Sequence, residues 1–198
     1  MKWTTGMLLL AIPLAFAEAD PVAAQGMIGD DLQAVRSTSD FFTFFNLQPT
    51  GPLAAPGTIE FRPSGPQFRP LVRVTATVDS QGKIVAMSLT VLRSFIDDPQ
   101  NGVFAGDIVK SFLRDAPPLE DQASLVPLAE DIELREKANV VVLGAQPRLP
   151  ARPPVPEYAV YTVASTDPVD RHLARTDFRM HPSSEAGQPA LTLSLVLR

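Results

Sequence analysis

Cysteine is absent from the 198-residue chain, which excludes disulfides, thiolate metal sites, a lipoprotein attachment cysteine and a cysteine nucleophile. Histidine, the commonest general base and a frequent metal ligand, occurs only as His172 and His181. Those two would need a third ligand to hold a metal, and Asp170 and Asp177 are the nearby carboxylates. Two solvated surface histidines are expected instead, with no bound transition metal. No serine sits in a G-x-S-x-G elbow, and neither a phosphate-binding P-loop nor a dinucleotide-binding glycine fingerprint occurs. No basic run interrupts a chain of formal net charge −5, so nucleic-acid binding has no electrostatic footprint. No catalytic, cofactor-binding or metal-ligating residue is therefore assigned, and no cofactor is expected.

Apolar runs of spanning length are also missing. The longest, Met7 to Ala17, falls well short of the ~20 residues that cross a bilayer. With Lys2 ahead of it and Ala15-Phe16-Ala17 behind, it reads as a secretory signal peptide over residues 1–24, cleaved after Ala17 or Ala24. The expectation is a bacterial periplasmic or secreted protein in which residues 25–198 form one α+β domain. At 45% apolar and 20% charged residues, that length can bury a sizeable core.

The most explicit stretch runs from Leu71 to Ala116. Val72, Val74, Ala76 and Val78 alternate with Arg73, Thr75, Thr77 and Asp79, the period of a half-buried strand. Val85, Met87, Leu89 and Val91 repeat the pattern, and Asp79-Ser80-Gln81-Gly82 supplies the turn. Pairing Val78 with Lys83 would set Ala76 against Val85, Val74 against Met87 and Val72 against Leu89. A helix follows, with Asp97 or Asp98 as cap, Pro99 in the first turn, and an apolar stripe of Phe104, Ile108 and Phe112 flanked by Val109 and Leu113. Gly102 and Gly106 weaken its start, which falls nearer Val103, and Pro117-Pro118 ends it.

Ahead of this unit, Ile28, Leu32 and Val35 have helical spacing, and Ser37 to Asp40 breaks that helix or caps a new turn. Phe41, Phe42, Phe44 and Phe45 form the densest aromatic cluster, expected to plug the core. The alternative is an exposed patch that grips a partner or lipid. Residues 48–70 form a proline- and glycine-rich loop in which Thr58 to Arg62 makes a short strand with Ile59 and Phe61 inward. Beyond Pro118, Ala129 to Asn139 favours helix although residues 131–135 also alternate, and Val140 to Leu143 reads as a buried strand. The proline-rich loop at 145–156 should be extended, as polyproline II. Strands are expected at Tyr158 to Ala164, Leu173 to Met180 and Ala190 to Arg198, with turns at 166–168 and 183–187.

Candidate chemistry is thin. Asp79, Asp97-Asp98 and Glu120-Asp121 are the conceivable carboxylate pairs, each with an evident turn or capping role. Arg62, Arg69 and Arg73 surround the first strand as a conceivable anion patch, though a solvated strand face is the expectation.

Val72 to Ile84 reads V-x-V-x-A-x-V-D-x-x-G-K-I. With the strand and helix that follow, it resembles the opening hairpin and helix of TonB-type C-terminal domains. The resemblance covers about a quarter of the chain. The sheet-rich stretch after Pro117 departs from that family, as does the lack of a spanning helix and Pro/Lys spacer. What it implies is a periplasmic adaptor. The leading expectation is an exported, non-enzymatic binding or accessory protein acting on an envelope protein or small ligand. The alternatives are that adaptor or an enzyme without a recognisable motif. The expected fold is α+β, a mostly antiparallel sheet of five to seven strands with two or three helices on one face.

Overall fold

In the computed structural model, which describes residues 26–98, 101–145 and 168–198 (side chains of 133–145 excepted), seven strands form one antiparallel sheet. The elements in chain order are α1 (Leu32–Thr38), α2 (Asp40–Phe44), β1 (Leu47–Pro49), β2 (Gly57–Pro63), β3 (Val72–Val78) and β4 (Ile84–Leu92). There follow α3 (Arg93–Ile96), α4 (Gly102–Asp115), α5 (Leu119–Ala145), β5 (Val169–His172), β6 (Thr176–Glu185) and β7 (Gln188–Leu197). Strand order is β1-β2-β3-β4-β7-β6-β5. The chain thus leaves the sheet after β4, builds three helices, and re-enters at the far edge before β7 closes the gap beside β4. The α+β class and the antiparallel sheet are as the sequence implies. Among the described residues, five helices exceed the expected two or three, because Ser39 splits the N-terminal helix and a single turn, α3, follows directly on β4.

The β3–β4 hairpin forms, in a register two residues from the expected one. Val72 pairs with Val91, Val74 with Leu89 and Ala76 with Met87, while Val78 pairs with Ile84, so Val85 is the extra residue of a bulge. The cause is local. The Asp79 carboxylate accepts from the amides of Gln81 at 2.8 Å and Lys83 at 2.9 Å, and the Asp79 amide donates to the Lys83 carbonyl at 3.0 Å. Those bonds fix a tight turn with Gly82 at φ +79 and bring Ile84 onto the apolar face in place of Val85. Because a shift of two preserves the facing, the remaining apolar residues still meet. That face continues through β7, where Leu191, Leu193 and Leu195 pair with Val91, Leu89 and Met87. All six are buried, in one core with Phe178 and Met180 of β6, Ile59 and Phe61 of β2, and Val109, Phe112 and Leu125 of the helices.

The opposite face is polar and half-buried. Thr75 meets Ser88 at 2.8 Å, Thr58 meets Thr77 at 3.0 Å, and Thr90 meets Thr192 at 3.1 Å, hydroxyl to hydroxyl. Arg73 reaches Glu185 at 2.6 Å and Arg62 reaches it at 3.7 Å, so the hairpin tip of β6–β7 is tied to β2 and β3.

Three further expectations are corrected. Val140 to Leu143 lie within α5: nothing interrupts the helix-favouring Glu, Arg, Lys and Ala of the preceding turns, and β-branched residues are only weakly unfavourable there. Ser183 to Glu185 belong to β6, because a two-residue turn at Ala186-Gly187, both at positive φ, closes the hairpin. Leu173 to Arg175, expected to open the strand that runs to Met180, instead form the turn between edge strand β5 and β6, where the Leu173 amide donates to the Thr176 carbonyl at 2.8 Å. The expected signal segment, Pro99, the expected proline-rich loop after Ala145 and the strand expected at Tyr158 to Ala164 lie outside the described residues. Among the described residues no helix is long and apolar enough to cross a membrane.

Candidate functional site

The Phe41 to Phe45 cluster divides between core and surface. Phe41 and Phe42 are buried, and edge contacts carry them inward: Phe41 to Phe112 at 5.8 Å and Phe42 to Phe61 at 5.1 Å between ring centres. Phe44, one turn along the five-residue α2, has no core to enter and is 73% exposed. It stands against Phe45 at 5.0 Å, and Phe45 contacts Phe41 at 5.9 Å. A second aromatic chain approaches from the other side. Phe68, in the turn before β3, meets Phe95 of α3 at 5.5 Å and Phe104 of α4 at 6.0 Å.

The two chains enclose a cleft of about 210 Å³. Phe44 and Phe45 form one wall, and Phe68, Phe95 and Phe104 the other, with Pro63, Val72 and Ile108 completing the lining. Phe104, expected inside at the head of the α4 stripe, is instead 50% exposed, because the core face of α4 is set by Ala105, Ile108, Val109, Phe112 and Leu113. Nothing in the sequence marks Phe68 and Phe95 for this site. They sit in a turn and a four-residue helix, where no periodicity singles them out.

Behind the Phe44–Phe45 wall a second, polar depression of about 770 Å³ opens between α2 and α4. Asp40 and Thr43 contribute from α2, and Asp107, Lys110, Ser111 and Arg114 from α4. Lys110 is bridged to Asp107 at 2.9 Å. Asp115, at the end of α4, has its carboxyl pushed up to about 6, by burial first and then by the negative charge of Asp40, with Arg114 opposing.

The carboxylates, arginines and histidines that the sequence offers as candidates do not converge on a reactive centre. Asp79 holds the hairpin turn. Asp97 pairs with Arg93 at 2.6 Å, and Asp98 accepts from the Asn101 side chain at 2.9 Å. Asp121, on the first turn of α5, is wholly buried. It accepts from the Arg175 amide at 3.0 Å and the Thr176 hydroxyl at 2.8 Å, fastening the β5–β6 turn, while Glu120 reaches the Arg175 guanidinium at 3.4 Å. Of the three arginines, Arg62 is committed to Glu60 at 2.6 Å and Arg73 to Glu185, so these two bind carboxylates of the same chain. The Arg69 carbonyl accepts from Arg62 at 3.1 Å. His172 contacts Asp177 at 2.7 Å with its side chain 83% exposed, and His181 lies on β6, partly exposed. Among the described residues no three such side chains gather as a metal site.

A larger groove of about 920 Å³ by the β6–β7 tip is lined by Arg62, Arg93, Asp97 and Glu185, whose charges are met by one another and by neighbours. The aromatic cleft is different in kind, since its rim rings are exposed rather than satisfied. No family model, curated protein or solved structure matches the chain.

Proposed function

We propose that the chain is an exported, non-catalytic binding protein of the bacterial envelope that grips an apolar side chain of a protein partner in the aromatic cleft. The observation that carries this is the open cleft between α2 and α4 with the Phe44 and Phe104 rings standing into solvent at its mouth. Its size suits one ring or one branched side chain, since a cavity of ~150 Å³ takes a single benzene and pockets for whole drug-sized ligands run to ~300 Å³ or more. A small molecule lodged there would leave the rim rings wet. A partner surface carrying an anchor would cover them, and burying each contributes about 2 kcal/mol. Export rests on the pattern of residues 1–24 and is tested by the N-terminus of the native protein. Mass spectrometry should find it at Glu18 or Gln25, and retention of Met1 to Ala17 would contradict it.

The binding reading is tested by capture from envelope extract with the tagged mature protein and its Phe44→Ser/Phe104→Ser variant. Both positions are surface sites, so the variant should fold. One partner should be held by the native chain and lost by the variant. Equal capture by both would refute the cleft as the site.

A further inference from the structure

Resting on the export reading above, we infer that the leader is cut after Ala24 before the chain folds, because folding buries the residues just past that bond. The protein then crosses the membrane unfolded, and a precursor that folds first retains the Ala24–Gln25 bond.

Gly26, Met27 and Ile28 form a strap seated in the core, with Met27 1% and Ile28 2% exposed. The Met27 amide donates to the Asp115 carbonyl at 3.0 Å and the Ile28 amide to the Ala116 carbonyl at 3.1 Å, filling two acceptors that the end of α4 leaves open. The Gly29 amide donates to the Ile84 carbonyl at 2.8 Å, and the Ile84 amide donates to the Asp30 carbonyl at 2.9 Å, so the strap is also bound to the start of β4. Gly26 lies flat against Pro117 and Pro118. A Cβ there would overlap the Pro117 carbonyl, so the seated strap accepts glycine alone at this position.

A protease takes its substrate extended and unpaired on both sides of the scissile bond, so cutting in a seated segment waits for that segment to open. Gly26 and Met27 are the second and third residues past the Ala24–Gln25 bond. Opening them strands the α4 carbonyls and bares two core side chains. The alternative bond, Ala17–Glu18, is separated from the strap by Glu18 to Gln25. The partners of the strap lie at Ile84 and at Asp115 to Pro118, so it seats only once the chain has emerged through Pro118. The leader itself carries Lys2 and no arginine, and so lacks the twin-arginine signal of folded cargo.

The test gives bacterial signal peptidase, in detergent micelles, the full-length precursor either folded or freshly diluted from urea, and reads the product N-termini by mass spectrometry. The unfolded precursor should be cut at Ala24–Gln25. The folded one should be cut there about a hundredfold more slowly, or only at Ala17–Glu18, and the native envelope protein should begin at Gln25. Gly26→Ala, with circular dichroism confirming that the rest is folded, should restore cutting of the folded precursor at Ala24. Met27→Ser, which leaves Gly26 in place, does the same if Gly26→Ala fails to fold. Equal rates for folded and unfolded precursor at Ala24, a native N-terminus at Glu18, or folded variants as resistant as the native sequence would overturn the inference while leaving export intact. A precursor cut at neither bond in either state would overturn the export reading with it.

Discussion

Replacing Val74 by Asp on the apolar face of β3, and comparing it with Thr75→Asp one residue along, tests how the sheet is covered. Val74 is completely buried, with Phe61 and Leu89 as its cross-strand neighbours, and both of those are equally buried. Removing the valine side chain forfeits about 1.5–3 kcal/mol of burial. The carboxyl then either ionises without a partner or stays protonated at neutral pH. A shift of ~3 units or more for a fully buried acid adds about 4 kcal/mol at pH 7. The sum exceeds about 5 kcal/mol, the lower end of the whole stability of a domain. Thr75 points the other way, half-buried, with its hydroxyl 2.8 Å from that of Ser88. An aspartate there keeps a hydrogen-bond donor in Ser88 but stands directly across from Glu60, whose own charge is held by Arg62. Its cost should be about 1–2 kcal/mol, a lost neutral contact plus a like-charge neighbour in a partly solvated layer.

Urea unfolding followed by circular dichroism separates the two. With a slope of about 2 kcal/mol per molar, Thr75→Asp should lower the midpoint by under ~1 M, whereas Val74→Asp should lower it by more than ~2 M or leave the chain unfolded. Lowering the pH toward 5 should restore part of the Val74→Asp loss, because the buried carboxyl then protonates more cheaply. Equal damage at neutral pH would mean that both faces of the sheet are covered, and the assignment of a polar outer layer would be wrong.

Other substitutions probe separate parts of the structure. Asp115 has its folded pKa raised to about 6, so its proton favours the native state; that contribution is complete below ~4 and is lost as pH rises through ~6. Asp115→Asn should remove this slope and, allowing for solvent screening of a partly exposed group, stabilise the protein by about 1 kcal/mol at pH 7.5 in urea unfolding. Asp121→Ala strands the Arg175 amide and the Thr176 hydroxyl; a loss of about 2–3 kcal/mol is expected, with faster hydrogen exchange at the Arg175 amide. Ala186 sits at φ +49 in the β6–β7 turn, so Ala186→Gly should raise stability by up to about 1 kcal/mol, read as a higher Tm.

How far the sequence speaks follows from which interactions are local. Strands β2, β3, β4 and β7 are legible because each alternates apolar and polar residues over its length, and the α4 stripe because Ile108, Val109, Phe112 and Leu113 repeat at helical spacing. The bulge at Val85 is not, since it depends on how the Asp79 carboxylate captures two amides. Nor is the placement of β7 beside β4, which joins segments about 100 residues apart. The cleft is legible only by half: Phe44 stands out through its neighbours, whereas Phe104 reads as a core residue. Phe68 and Phe95 reach it only because the turn before β3 and the end of β4 are adjacent in the folded sheet, where the Leu92 amide donates to the Leu71 carbonyl at 2.9 Å.

Whether the cleft itself, and not merely apolar surface, holds the partner is tested most directly by filling it. Ile108 lines it from α4 and is 2% exposed, so Ile108→Trp fills the cavity from within while leaving the Phe44 and Phe104 rims in place. The measurement is the affinity of the captured partner for this variant, beside its thermal stability. A Tm equal to or above that of the native chain, with affinity reduced about tenfold or more, is the predicted result. Undiminished affinity in a folded Ile108→Trp protein would contradict it.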